Sequence, residues 1–510
     1  MSIQINRRDF IKLASFLPLL TTKYPKNFQF KKQISGKDQL PNILILVFDA
    51  LSANHVSLFG YNRDTMPNLS RLSQRANVYH NYYAGGNFTS AGTASILTGT
   101  YPWTHRAFHL HGTVEENLVD HNIFNLLAEK GYTGMSYSHN LLATSLLYQF
   151  RAAIDNFKWT RELCLSDTQY SDIIFPNDFN HSFWSEWLIM RGGKTNPSSL
   201  FFSFAQRMLK ASNKSLHNRE YGDQFPRGIP NLHNLFFVLE DTTNWIMEQL
   251  TSLPEPYLSY IHVLPPHEPY TTRKDFINIF KDGWSPKPKP ERFFSDGISV
   301  ESLNHERRLY DEYIAYADAE IGRIFDFLHK EGITENTYIF LTSDHGELFE
   351  RGVRGHVTPA LYQPVINVPL LVWKPGQTIR KDIFEATSCT DILPTLAHIA
   401  GMSVPNWTEG EVLPSISEQT SDLVRDIYSV EAKSNPKHQP LNKMTVALIK
   451  GQYKLIYYTG YGQKIPQYEL FDIENDPEER EDLSSTHKSV ADGLYGIIRE
   501  KITEVNRPFI

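Results

Sequence analysis

The run Tyr338-Ile339-Phe340-Leu341-Thr342-Ser343-Asp344-His345-Gly346-Glu347 decides the fold. Its first half is apolar and rich in β-formers, the composition of a buried strand. Its second half is a polar tip carrying Asp344 and His345. A carboxylate and an imidazole at a strand's C-terminal end stand where open α/β sheets build their sites. Together they offer a hard oxygen and a ring nitrogen to a metal ion. Taken alone, the same dipeptide also suits a solvated loop, so the remainder of the chain has to decide.

Upstream, Asn42-Ile43-Leu44-Ile45-Leu46-Val47-Phe48 is a continuous apolar run that ends at Asp49. Such a run fits a strand buried on both faces of a parallel sheet. A lone Asp there is more often a helix cap. A third run, 257–264, leads into Pro265-Pro266-His267-Glu268-Pro269-Tyr270, where prolines hold His267 in a stiff loop. Further strands are expected at 78–83, 131–138 and 368–373, and helices at 66–75, 122–130, 301–330 and 391–400. In the long helix, Leu309, Tyr313, Ala317, Ile321, Ile324 and Leu328 form one apolar face. This alternation predicts an α/β fold: a doubly wound, mostly parallel sheet flanked by helices. Residues 402–440 read as polar and irregular. Beyond them a hairpin at 444–458, a strand near 469–472 and a helix near 489–502 make a smaller C-terminal α+β subdomain. The stretch 150–250 has weak periodicity and reads as an insertion over the sheet's active edge.

The segment Asn87-Phe88-Thr89-Ser90-Ala91-Gly92-Thr93 opens with small residues, turns apolar at Ile96-Leu97 and closes at Gly99. It predicts a short helix whose N-terminus presents Thr89 and Ser90. Unpaired amides and the helix dipole favour an anion there. Capping by Thr or Ser is the plainer use of the same residues. Asn87 reads as a turn residue or as a further contact to the anion.

Composition narrows the function classes. The chain has 510 residues, 41% hydrophobic and 21% charged, with a net charge of −7. That is an ordinary soluble balance and lacks the basic face of a nucleic-acid binder. Asn6-Arg7-Arg8-Asp9-Phe10-Ile11-Lys12, followed by the apolar stretch 13–20, resembles a twin-arginine export signal. The apolar stretch is too short to span a bilayer, and no other segment is long and apolar enough. The expected location is therefore the periplasm or cell envelope, with the twin-arginine export machinery as a partner. The two cysteines, Cys164 and Cys389, make no disulfide framework and are read as free.

The order of these motifs resembles the sulfatase family, within the alkaline phosphatase superfamily. A strand ending in Asp49, a helix-opening segment ending Leu97-Thr98-Gly99-Thr100-Tyr101-Pro102, the Pro266-His267-Glu268-Pro269-Tyr270 loop, Ser343-Asp344-His345-Gly346-Glu347 and Gly355-His356 carry the resemblance. It implies a catalytic domain at 41–405, preceded by signal and linker at 1–40 and followed by the C-terminal subdomain at 406–510. It implies that Asp49, Asp344, His345 and Thr89 hold one divalent metal ion, whether Ca, Mg, Mn or Zn. It also implies that His267 and His356 contact the ester or protonate the leaving group, with Asn87 beside them. A second metal is not expected, because His262 and His267 lack the Asp partner seen in two-metal relatives.

One departure matters for the chemistry. Sulfatases convert the Cys or Ser of Cys/Ser-x-Pro-x-Arg to formylglycine, whereas Thr89-Ser90-Ala91-Gly92-Thr93 has neither the Pro nor the Arg. Thr cannot give that aldehyde, and Ser90 is out of register. Related branches with a Thr nucleophile, such as phosphoethanolamine transferases, lipoteichoic acid synthases and nucleotide pyrophosphatase-like phosphodiesterases, cleave phosphodiesters. A second departure is Ala50, where many sulfatases carry another Asp. The expectation is an exported metal-dependent hydrolase or transferase cleaving phosphate esters, with diesters foremost, through a covalent Thr89 intermediate. Its substrate would be a small-molecule, lipid-head-group or glycan ester. A sulfate-ester hydrolase without formylglycine is the second expectation. A non-catalytic binding protein on the same fold is the third, opposed by the retained site residues.

Overall fold

Eight strands form the central sheet of the computed structural model: β1 (Asn42–Phe48), β2 (Asn77–Tyr79), β3 (Thr133–Ser138), β4 (Asn156–Lys158), β5 (Tyr257–Val263), β6 (Thr337–Thr342), β7 (Leu370–Trp373) and β8 (Lys381–Ile383). The structure describes residues 40–165, 200–232, 235–417, 424–462 and 467–510. The twin-arginine-like segment and part of the 150–250 insertion lie outside the described residues. Strand order is β8-β2-β7-β6-β1-β5-β3-β4. Pairing is parallel from β6 across to β4, and only β7 runs against its neighbours.

β1 lies at the centre, and every residue in it is buried. Its side chains alternate between faces. Leu44, Leu46 and Phe48 join the core beneath the helix α2 (Val300–Lys330), whereas Ile43, Ile45 and Val47 join the core beneath α1 (Thr89–Thr98) and Ile392–Ile399. A run apolar at every position is what a strand covered on both sides requires. On α2 the expected apolar face is buried from Tyr313 through Leu328, and Leu309 is partly exposed near the helix's start.

Two expectations change. The run at 78–83 splits: Asn77–Tyr79 enters the main sheet, whereas Tyr82–Tyr83 pairs with Thr387–Ser388 in a separate ladder. The polar stretch 402–440 contains a fully buried strand, Ile427–Glu431. That strand begins a four-stranded antiparallel sheet with Met444–Lys450, Tyr453–Thr459 and Tyr468–Asp472, covered by the helix Lys488–Asn506. Its edge is tied back to the main body, where Val430 N–H donates to the Gly85 carbonyl at 2.8 Å. Cys164 and Cys389 are both free. No helix among the described residues is long and apolar enough to cross a membrane.

Candidate active site

Four neighbouring strands deliver polar residues to one edge of the sheet. β6 ends in Asp344 and His345, β1 in Asp49, β3 in His139 and Asn140, and β5 carries His262 and leads to His267. The register sets Val47 of β1 beside His262 on one side and Thr342 on the other. The cluster therefore lies beyond the strands' carboxyl ends, as this sheet type dictates.

α1 supplies Thr89 as its first residue. Its N-cap is Phe88, and no side chain caps it. The capping use of Thr89 and Ser90 is thus corrected: both lie inside the first turn, where a hydroxyl faces outward from the helix end. Ser90 Oγ has no hydrogen-bond partner among the described residues, whereas Thr89 Oγ1 lies 3.4 Å from His345 Nε2. The helix reaches the cluster because Gly92 lies against the Asp344 backbone with no room for a Cβ.

Each carboxylate divides its oxygens between frame and cluster. Asp49 Oδ2 accepts from Asn140 Nδ2 at 2.5 Å and lies 3.3 Å from His262 Nε2. Asp344 Oδ1 accepts from the Ala50 and His345 amides at 3.3 and 3.1 Å. The remaining oxygens, Asp49 Oδ1 and Asp344 Oδ2, are buried without a hydrogen-bond partner among the described residues. They lie 3.4 and 3.6 Å from His345 Nε2. His345 Nδ1 sits 2.9 Å from the Gly346 carbonyl. It must donate there, so in the neutral ring Nε2 presents a lone pair. Two unpaired carboxylate oxygens and a ring lone pair, all buried and within 4.8 Å of one another, are a donor set that a divalent cation satisfies. Electrostatics agree. Burial alone would lower the His345 pKa, but Asp344 and Asp49 outweigh it and lift it to about 9. Burial would raise Asp49, yet the imidazoles of His267, His262 and His345 hold it well below the usual carboxylate range.

Ala50 adopts a left-handed conformation with φ of 62°. The twist aims its N–H at Asp344, and its carbonyl accepts from the Tyr310 hydroxyl at 2.5 Å. A residue other than Gly in that region is strained by roughly 1–2 kcal/mol. The position that carries an Asp in many sulfatases thus serves here through its backbone.

Beyond the cluster stand two more imidazoles. His356 and His345 have ring centroids 4.2 Å apart, and His267 and His356 are separated by 4.9 Å. His267 Nδ1 donates to the Glu268 carbonyl at 2.7 Å. His356 Nδ1 faces Glu347 Oε1 at 3.0 Å. Both rings are thereby held through Nδ1. Asn87 is neither a plain turn residue nor aimed by its amide nitrogen at the cluster. Its Nδ2 donates to the carbonyls of His356 and Thr358 at 2.8 and 2.6 Å, bracing the loop that carries His356.

Three residues escaped the sequence reading. Asn140 accepts from Leu142 N–H through Oδ1, which fixes its amide so that Nδ2 reaches both Asp49 and Thr89 Oγ1, the latter at 3.0 Å. His262, set aside for want of an Asp partner, faces both Asp49 and Asp344. Glu347 was visible in the central motif but had no partner until His356 was placed. For Asn140, the signal available was its position directly after a strand.

Comparison with known proteins gives the family and the fold. Residues 41–402 match the sulfatase family, and residues 358–506 match the C-terminal region of N-sulphoglucosamine sulphohydrolase. The chain is 23% identical to a choline-sulfatase of Rhizobium meliloti (strain 1021), covering 89% of this chain and 84% of that protein. It is 23% identical to an arylsulfatase of Clostridium perfringens (strain 13 / Type A), covering 91% of this chain and 94% of the relative. The phosphonate monoester hydrolase of Agrobacterium radiobacter shares the fold, with a TM-score of 0.65 at 17% identity over 92% of this chain and 96% of that one. The chain belongs to the sulfatase family of ester hydrolases, in the alkaline phosphatase-like superfamily.

Proposed function

We propose that this protein is a metal-dependent hydrolase or transferase that cleaves phosphate esters, diesters foremost, through a covalent intermediate on Thr89. The observation that carries the reading is the nucleophile position. It holds a hydroxyl that cannot become formylglycine, at a helix N-terminus, beside His345 and under the Asn140 amide. Asp49, Asp344 and His345 would hold a divalent cation, with Thr89 as the fourth contact. When bound, the cation lowers a hydroxyl's pKa and offsets charge on the transferring group, worth several kcal/mol. Calcium, magnesium, manganese and zinc all suit mixed carboxylate and imidazole donors.

The chain's own residues do the rest. Thr89 Oγ attacks phosphorus as its proton passes to water, the P–O bond to the alcohol breaks, and the alkoxide takes the Nε2 proton of His356 or His267 in the imidazolium form, which the attacking water or alcohol of the second step reprotonates. Water, or an acceptor alcohol, then attacks the phosphothreonine and frees Thr89. Asn140 holds Thr89 in line, and the first-turn amides of α1 favour the anion. Asn87 acts at one remove, by fixing the His356 loop. A sulfate ester is the second reading, favoured by sulfatase matches in both parts of the chain.

The test is turnover of an aryl phosphate diester, an aryl phosphate monoester and an aryl sulfate by the metal-loaded protein, with Thr89→Ala as control. Diester cleavage lost in Thr89→Ala supports the reading. Sulfate turnover that survives Thr89→Ala removes Thr89 from the mechanism. Export by the twin-arginine route rests on Arg7 and Arg8. Replacing both with Lys should retain the protein in the cytoplasm, and unchanged export would refute that route.

A further inference from the structure

We infer that Glu347 is the positioning residue for His356: it fixes which ring nitrogen faces the ester. The inference rests on the site being an ester-cleaving centre and deepens that reading. Glu347 is wholly buried, and Oε1 lies 3.0 Å from His356 Nδ1. A carboxylate can only accept, so Nδ1 must carry the proton and Nε2 is the nitrogen left for the ester, on a ring whose centroid lies 4.9 Å from that of His267 and 4.2 Å from that of His345. The other oxygen, Oε2, has no hydrogen-bond partner among the described residues. A buried carboxylate with half its capacity unused is a poor device for stability, because an apolar side chain of similar size would do as well. Orienting an imidazole explains its presence, as the third member of a nucleophile–base–carboxylate arrangement does.

The backbone around Glu347 is built to hold that aim. Gly346 N–H donates to the Val365 carbonyl at 2.7 Å and Glu347 N–H to the Pro364 carbonyl at 3.0 Å. Gly346 is pressed so closely on Pro364 that a Cβ would lie 3.1 Å from its carbonyl carbon and from Ser52 Cβ. Asn87 fixes the other side of the contact through the His356 carbonyl. The chain thus presents His345 to the cluster and, two residues later, Glu347 to His356. His267 differs: its Nδ1 is held by the neighbouring Glu268 carbonyl and depends on no side chain.

The experiment is a double-mutant cycle on the metal-loaded full chain with Glu347→Ala, Glu347→Gln, His356→Ala and the Glu347→Ala/His356→Ala pair. Glu347→Ala should lower kcat by about 10–100-fold, as loss of an orienting partner does. KM and metal stoichiometry should stay near wild type. Glu347→Gln should recover most of the loss, because the amide oxygen still accepts from Nδ1. In the His356→Ala background, Glu347→Ala should cost less than about twofold, because the two act as one unit. An equal loss in both backgrounds, or loss of metal in Glu347→Ala, would overturn the inference and place Glu347's effect on His345. A crystal structure of Glu347→Ala decides the matter without turnover: the His356 ring should leave its present orientation, and an unmoved ring refutes positioning. If the wild type turns over no ester, the proposed function fails, and the ring's orientation still judges Glu347.

Discussion

Replacing Gly92 with Ala should separate the effect of helix propensity from that of the active-site contact. Gly92 has an ordinary helical backbone, absent from the left-handed residues, so propensity alone favours Ala by about 1 kcal/mol. The packing opposes it. An added Cβ would lie 2.8 Å from the Asp344 carbonyl carbon and closer still to its oxygen, and both are backbone atoms that no rotamer change can move. Restoring ordinary contact takes α1 and the Asp344 turn roughly 1 Å apart. Overpacking of this kind costs about 1–3 kcal/mol, so the net change should be destabilising by up to about 2 kcal/mol. The same displacement carries Thr89 away from His345, and a shift near 1 Å costs on the order of 100-fold in rate. Urea denaturation reads the first effect and kcat/KM on the substrate the wild type turns over reads the second. Gly493→Ala is the control, since Gly493 lies in the helix Lys488–Asn506 with nothing within 4 Å of its would-be Cβ. It should gain up to about 1 kcal/mol. A Gly92→Ala protein that is more stable than wild type, with unchanged kcat/KM, would refute the packing argument.

Other perturbations probe the charges. In the metal-free protein His345 is protonated up to about pH 9, and the ion needs its lone pair. Metal uptake at pH 7 should therefore release about one proton, with apparent affinity rising with pH until that value is passed. Calorimetry in buffers of different ionisation enthalpy checks this, and proton-neutral uptake at pH 7 would exclude His345 as a ligand. Asn140→Ala removes both the clamp on Thr89 and a donor to Asp49. Steady-state kinetics should show kcat reduced about 10–100-fold, and metal titration should show weakened binding. In the C-terminal sheet, the ammonium of Lys454 and the carboxylate of Glu479 are fully buried and 2.5 Å apart. Lys454→Met removes the cation from Glu479 Oε1 and leaves Oε2 on the Gln363 N–H at 2.7 Å, which should cost about 3 kcal/mol by urea denaturation.

The strands were legible because both faces of the sheet are covered. Asn42–Phe48 and Thr337–Thr342 are apolar almost throughout, and this composition survives without knowledge of their partners. The strand Ile427–Glu431 was not legible for the opposite reason. Tyr428, Ser429 and Glu431 interrupt its apolar residues, and all are buried through contacts with distant segments. The candidate cation cluster of Asp49, Asp344 and His345 suggested itself from the sequence because each follows a recognisable strand, and the structure brings the three together. The residues that orient it could not. Asn140 meets Asp49 across 91 residues of sequence, and its one local sign, a place just past a strand, suits equally the helix cap that it also is. His262 was discounted for lacking an Asp, yet the parallel register between β1 and β5 sets it beside the strand that ends in Asp49.

These misses share a physical cause. A ligand must present a donor atom, so its residue type announces it. A residue that orients the ligand needs only to fill the second hydrogen-bonding position, and Asn, His or a backbone amide does so equally well. Asp49 uses Asn140 and His262, Asp344 uses the amides of Ala50 and His345, and His345 uses the Gly346 carbonyl. Two of these three frames are wholly or partly backbone and leave no trace in side-chain identity. The left-handed turn at Ala50 illustrates the consequence: an Ala stands where a second carboxylate occurs in many sulfatases, and its amide supports Asp344. Loss of an acidic residue from the motif therefore says less about loss of the metal site than the backbone path through that position does.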